Sequence, residues 1–128
     1  MRDLSHNVGI VQAVAPAVLT ATNTSAAIDL LGFDSAMVVV NTGAIVSSGN
    51  FTPKLQESDT TTSGDFTDVA AADLTGTFPA ALSAASVIKV GYIGNKRYIR
   101  TVLTLNSGTS IAASATVIKG HPASAPVS

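Results

Sequence analysis

The chain has no cysteine and no tryptophan, and only two tyrosines and four phenylalanines among its 128 residues. Without cysteine there is no disulfide framework, no thiolate metal ligand and no thiol nucleophile. Stability therefore rests on packing, on oligomerisation, or on both. Aromatic side chains make up 5% of the sequence, too few to supply the flat platforms on which sugars usually stack, which argues against a glycosidase or a carbohydrate-binding module. Charge is scarce too, at 12% against roughly 25% in an average domain. The net charge of −1 gives no basic field that would hold nucleic acid. No apolar run approaches the ~18 residues of a membrane-spanning helix. Val8 to Ala21 is apolar, but only Arg2 precedes it, and Gln12 and Pro16 interrupt it. A secretion signal has a basic start and a clean apolar run, so this stretch is not read as one.

Catalytic and cofactor motifs are missing as well. There is no Gly-x-Ser-x-Gly, no phosphate-binding loop and no His-Glu-x-x-His. His6 and His121 lie near the two ends without a partner motif and read as surface residues. The expectation is a non-enzymatic protein with no cofactor.

What is present is a chain rich in Ala, Val, Thr and Ser, 46% of it hydrophobic, with turn signals every 8–12 residues or so. At this length it forms one domain with a real core. The pattern predicts an all-β fold, a jelly-roll-like antiparallel β-sandwich of about eight short strands. Residues 1–16 are expected to form an N-terminal arm or edge strand that ends or bends at Pro16. Residues 17–120 form the sandwich, and 121–128, with Pro122 and Pro126, a tail on the surface or on a neighbour. The uninterrupted run Met37 to Val40 suggests a strand covered on both faces or nearly so. Phe51, Pro53, Leu55 and Glu57 alternate onto one face, and Pro53 places that strand at an edge or delays its start. Ser58 to Gly64 reads as a loop tip, Ala70 to Leu74 as one helical turn at most, and 70–86 as the place for a crossover between sheets.

The centre of the expected fold is the stretch from Val87 to Asn106. It reads as a hairpin turning at Gly94-Asn95-Lys96, continued by a second turn at Asn106–Thr109 into a strand from Ile111 to Lys119. Ile99, Thr101, Leu103 and Leu105 share one face of its second arm, with Tyr98, Arg100, Val102 and Thr104 on the other. Lys89, Lys96, Arg97 and Arg100 concentrate positive charge in this hairpin, and Glu57, Asp59, Asp65, Asp68 and Asp73 concentrate negative charge upstream. The acidic spacing matches no calcium loop, so it reads as a solvated loop and not a metal site. The preferred expectation is that the basic hairpin meets the 57–73 region, within or between chains, which fixes register and partner choice. Arg100, facing Tyr98, is expected to stack on it or to grip a carboxylate with both arms. The interaction candidates are Asp59, Asp65, Asp68, Lys96, Arg97, Tyr98 and Arg100. A surface so poor in charge is either simply Thr- and Ser-covered or buried against copies of the chain or another protein.

The segments Phe51-Thr-Pro-Lys-Leu-Gln-Glu-Ser-Asp, Phe66-Thr-Asp-Val, Val90-Gly-Tyr-Ile-Gly-Asn-Lys-Arg-Tyr-Ile-Arg and Gly108-Thr, in that order, resemble those of small tailed-bacteriophage virion proteins. Among these the chain is most similar to capsid decoration (cement) proteins, over roughly residues 36–120. The resemblance implies a non-enzymatic homo-oligomer, a trimer favoured, made in the bacterial cytoplasm and seated on the major capsid protein at the virion surface. Charge and hydropathy add the expectation of no contact with nucleic acid or membrane. A neck or tail protein, or a receptor- or glycan-binding module of a fibre or spike, remains the alternative.

Overall fold

The computed structural model describes residues 2–124; residues 125–128, with Pro126 and the end of the expected tail, lie outside the described residues. Ten strands build two sheets. They are β1 (Gly9–Leu19), β2 (Asn23–Thr24), β3 (Ile28–Asp29), β4 (Phe33–Val46), β5 (Asn50–Ser58), β6 (Thr67–Asp68), β7 (Leu74–Thr75), β8 (Val87–Tyr92), β9 (Tyr98–Ser107) and β10 (Ser110–Pro122). The first sheet runs β1-β10-β4-β8-β7 and the second β2-β9-β5-β6, with β3 also pairing β9. Every pairing is antiparallel. The fold is an all-β antiparallel sandwich, as the alternating pattern predicts.

Ten strands stand among the described residues where about eight are expected: some are longer than turn residues suggest, and four are mere two-residue bridges. Gly43 lies inside the 14-residue β4, and Pro16 inside the 11-residue β1. Pro16 does bend its strand: the register with β10 slips between Gln12 and Val14 and again between Val14 and Ala17. A bulge and an edge position are where a residue without an N–H is tolerated. Pro53 sits in β5, paired with β9 at Leu103, while the short β6 reaches only Gln56 and Glu57 on the other side. At Pro53 β5 thus has a strand neighbour on one side only, as the proline requires.

The expected central hairpin is overturned. β8 pairs with β4 and β7 in the first sheet, β9 with β2, β3 and β5 in the second, and β10 returns to the first. Residues 93–97 are therefore a crossing between sheets, and the Asn106–Thr109 turn is a corner, not the tip of a meander. The ends of the 93–97 crossing bond elsewhere. Ile93 N–H donates to the Asp73 carbonyl (2.8 Å), and Leu30 N–H donates to the Arg97 carbonyl (2.8 Å). The chain also changes sheet between β6 and β7, inside the connection expected to hold a crossover, through a 3-10 turn at Ala71–Asp73.

Two corners stack at one end of the sandwich. β4 turns into β5 through Ser47 and Ser48, both with positive φ (50° and 58°), and β9 turns into β10 through Gly108 (φ 78°). Because β4 pairs β10 and β5 pairs β9, these four strands are one ribbon folded over at the corners. The corners touch so closely that a Cβ on Gly49 would collide with the backbone of Ser110. Only glycine fits there.

The core lies between the sheets. Phe51, Leu55, Ile99 and Leu103 from the second sheet meet Val38, Val40, Val90, Ile111 and Val117 from the first, all essentially fully buried. Each such side chain contributes about 1.5–3 kcal/mol by leaving water. The inner face of β9 is the one the sequence assigns, Ile99, Thr101 and Leu103. Leu82 anchors the long 76–86 connection, its N–H donating to the Phe51 carbonyl (2.9 Å).

Candidate functional site

The sandwich has two outer faces, and they differ in kind. On the second sheet the outward side chains form a polar lattice. Arg100, on β9 opposite Gln56 of β5, donates from Nε to Gln56 Oε1 (2.8 Å) and from Nη1 to Ser63 Oγ (3.0 Å). Its guanidinium lies over the Phe66 ring, 4.4 Å from the centroid, a cation–π contact. Gln56 passes the link on, donating from Nε2 to Asp68 Oδ1 (2.9 Å), and Lys54 reaches the same carboxylate (3.2 Å). These two donors, Gln56 first, hold the Asp68 carboxyl below its ordinary range.

At the margin of this face the 93–97 crossing meets the 58–68 loop. Lys96 Nζ donates to Asp59 Oδ2 (2.9 Å), which holds the ammonium above its ordinary range. Thr60 Oγ1 donates to Asp65 Oδ2 (2.7 Å) and its N–H to Ser58 Oγ (3.0 Å), so the loop is braced from within. Glu57, Asp59, Asp65 and Lys96 rim an open hollow of about 320 Å³. Arg97 turns the other way. It grips Asp29 with Nε on Oδ1 (2.9 Å) and Nη2 on Oδ2 (2.8 Å), and lies 5.0 Å from the Tyr98 ring centroid. That fork–fork pair brings the Asp29 carboxyl down to about 2.

Beneath the crossing lies a polar link through the core. Glu57 (8% exposed) is not one of the solvated loop carboxylates among which its position in the sequence placed it. It faces inward with Phe51, Pro53 and Leu55, and its Oε1 accepts a hydrogen bond from the Tyr92 hydroxyl (2.9 Å). Tyr92 (4% exposed) in turn accepts from the Lys96 N–H (3.0 Å). One phenol thus ties β8, β5 and the crossing together. Burial, reinforced by the Glu57 carboxylate and opposed by the Lys96 N–H, pushes the Tyr92 hydroxyl well above the usual phenol range. A Cβ on Gly94 would come within 2.5 Å of that hydroxyl, so the crossing needs glycine here to lie against the ring.

Of the seven candidate residues, Asp59 and Lys96 come together as the charge pattern predicts. Asp68 and Arg100 join through Gln56 and not carboxylate to guanidinium, while Asp65 is held by Thr60 within its own loop. The two-armed carboxylate grip falls to Arg97 with Asp29, and the ring under Arg100 is Phe66, not Tyr98. Sequence reasoning missed Asp29, Gln56 and Tyr92 as members. Tyr92 and Glu57 carried a signal, since each falls in phase with the buried residues of its strand. Lys89 stands apart on the other sheet.

The outer face of the first sheet holds almost no charge. Register places Ile10, Ile118, Met37 and Gly91 in one row and Gln12, Thr116, Val39 and Lys89 in the next. Ser114, Asn41 and Val87 follow. Inward neighbours such as Val38, Val90, Ala115 and Val117 are buried, so these rows point away from the core. Ile10, Val18 and Val87 are 66%, 64% and 65% exposed. The run Met37 to Val40, read as covered on both faces or nearly so, is sealed on one: Val38 and Val40 are buried inside, and Met37 and Val39 look outward, half-buried.

Nothing in either region assembles a nucleophile with its base, and among the described residues no three His, Asp or Glu side chains gather as a metal site. The histidines lie at the surface, His121 Nδ1 against Ser35 Oγ (2.8 Å) and His6 against Asp3.

No family model and no curated protein matches the sequence. Among solved structures, the chain is similar in fold to the SPBc2 prophage-derived protein YomS, with a TM-score of 0.50 and 11% identity, over 88% of this chain and 92% of that one. Two weaker likenesses are to PirA (TM-score 0.44, 12% identity, over 94% and 97%) and to infectious bursal disease virus Gx strain (0.49, 14%, over 93% of this chain but 35% of that one). At these identities the likeness concerns the fold alone.

Proposed function

We propose that this chain is a non-enzymatic structural protein of a tailed-phage virion, a decoration protein that binds the major capsid protein at the capsid surface and stabilises the head. One observation carries the reading: the charged groups of the second sheet are engaged within the chain, while the outer face of the first sheet, a mixture of aliphatic and small polar side chains, is left almost without charge. Such a surface suits lasting contact between proteins more than recognition of a small molecule. The resemblance of the segments from Phe51 to Thr109 to phage virion proteins supports the same reading, and the fold is one also found in a prophage-derived protein.

In this role the protein bridges neighbouring capsid subunits and adds buried area across their junctions. Modest contacts repeated by each chain of a homo-oligomer, a trimer in the favoured form, add up through effective concentration. Asp59, Asp65, Asp68, Lys96, Arg97, Tyr98 and Arg100, on and beside the opposite face, are the candidates for setting register on the shell. The test is to mix the protein with capsids that lack it, count bound copies and follow capsid disruption by heat. Saturation at three-fold positions with a raised disruption temperature supports the reading. A protein that ignores capsids overturns it in favour of a fibre module, and binding at a single vertex overturns it in favour of a neck protein.

A further inference from the structure

We infer that the outer face of the first sheet is buried against a second copy of this chain. β4 is the middle of that sheet, and its run Met37-Val-Val-Val40 is the pattern of a strand covered on both sides. The fold covers only one. Three long strands over about nine residues of ~3.3 Å, with the six-residue β8 beside them at ~4.8 Å spacing, make a face on the order of 500 Å² before side-chain relief is counted. Side-chain relief raises that towards the ~800 Å² per partner of a standard stable interface.

Charge selects the occupant. Across Ile10, Ile118, Met37, Val39 and Thr116 the face has neither anion nor cation, and its one charged residue, Lys89, stands on β8 beside the short β7. A charged partner would find no counter-charge here. A second copy presents the same neutral surface, with each Lys89 towards a margin and not at the centre. The sheet margin continues the match. β1 has a strand neighbour on one side only and carries no charged residue from Gly9 to Leu19. Pro16 and the two bulges guard this edge against strand-to-strand addition, which leaves the face as the contact. Two such faces stack across a two-fold axis as the sheets of a sandwich do, about 10 Å apart. Around a three-fold axis the β1 margin of one chain lies on the face of the next.

This inference does not depend on the virion role. The test is the mass of the full chain in solution, by light scattering over a wide concentration range, alone and without capsids. The wild type is expected at two or three chain masses. Met37→Glu combined with Val39→Glu is expected at one chain mass, with an unchanged far-ultraviolet spectrum and cooperative melting. Thr104→Glu, on the outer face of the second sheet, is expected to stay associated. Because the chain has no cysteine, Thr116→Cys and Thr104→Cys add an independent readout that needs no loss of folding: a short bis-maleimide should link the first variant to itself and not the second. A wild type at one chain mass overturns the inference, as does an oligomer that the double variant leaves intact or that links through Thr104→Cys. A one-mass protein that still binds capsids through Met37 gives the face to the shell protein, overturning the inference while leaving the virion reading in place. An oligomer through this face that ignores capsids does the reverse.

Discussion

The two outer faces of the sandwich have the same strand geometry and opposite chemistry. On the second sheet Arg100, Gln56, Asp68 and Lys54 bind one another, and Phe66 folds over the guanidinium, so the face is finished by the chain's own groups. On the first sheet Ile118, Met37 and Val39 point outward side by side, half-buried and without a charged group among them. A strand pattern specifies which residues point out, but not what meets them there. Where the outward residues are polar the chain can satisfy them itself; where they are aliphatic, only another surface can.

That contrast depends on the two sheets being held in register by the Tyr92 link, so the largest effect should come from breaking it. Gly94→Ala drives a methyl into the Tyr92 ring, and overpacking of this kind costs about 1–3 kcal/mol. Urea unfolding should show the midpoint falling with the slope unchanged; an unaltered midpoint would mean that the crossing has room to move. Tyr92→Phe leaves Glu57 buried without its donor and should cost about 1–3 kcal/mol.

The same variant tests the phenol's pH dependence. The Tyr92 hydroxyl holds its proton more tightly folded than unfolded. Its contribution is therefore whole below the ordinary phenol value near 10 and is lost as pH rises from there toward the folded value. Wild type should lose stability above about pH 10 more steeply than Tyr92→Phe; identical alkaline limbs would remove the phenol from the account.

Thr101 sharpens the comparison from inside. Its hydroxyl, on the inner face of β9, has no hydrogen-bond partner among the described residues although the residue is 1% exposed. Thr101→Val should raise stability by about 1 kcal/mol, read as a higher melting temperature; a fall would reveal a partner for the hydroxyl. The smallest effect belongs to the polar face. Asp29, held down to about 2 by Arg97, contributes stability that is whole above the ordinary carboxylate value near 3.8 and is lost as pH falls through about 2. The pair is nearly half exposed, so solvent and salt screen it. Asp29→Asn should flatten the acid limb slightly at low salt and not at high salt.

Legibility varied with the range of the interaction. The alternation in Phe51-Thr-Pro-Lys-Leu-Gln-Glu57 and in Ile99 to Leu105 showed which side chains face inward, because that depends only on the pleat. The same alternation put Glu57 inside, against the reading of its charge as solvated. The Gly94-Asn95 turn was visible, but not that its two arms part company. Glycine and asparagine signal that the chain reverses, and a hairpin and a crossing between sheets both need that. For the site, the meeting of Lys96 with Asp59 followed from opposite charges clustered in sequence. The grip of Arg97 on Asp29 did not, because the two lie 68 residues apart and nothing local joins them.

By itself the amino-acid sequence determined that this protein is an all-β sandwich with a Thr-, Ser- and Ala-rich surface, no thiol chemistry and little charge. Composition and period-two patterning are local properties, and burial of the aliphatic half of each strand follows from them. Only the tertiary structure decided which strands share a sheet, and so that Tyr92 reaches Glu57, that Arg97 finds Asp29, and that Met37, Val39 and Ile118 form one open surface. Strand pairing is a competition among many edges of similar propensity. It is settled by how corners, bulges and core side chains fit at once, and no single stretch of sequence holds that information.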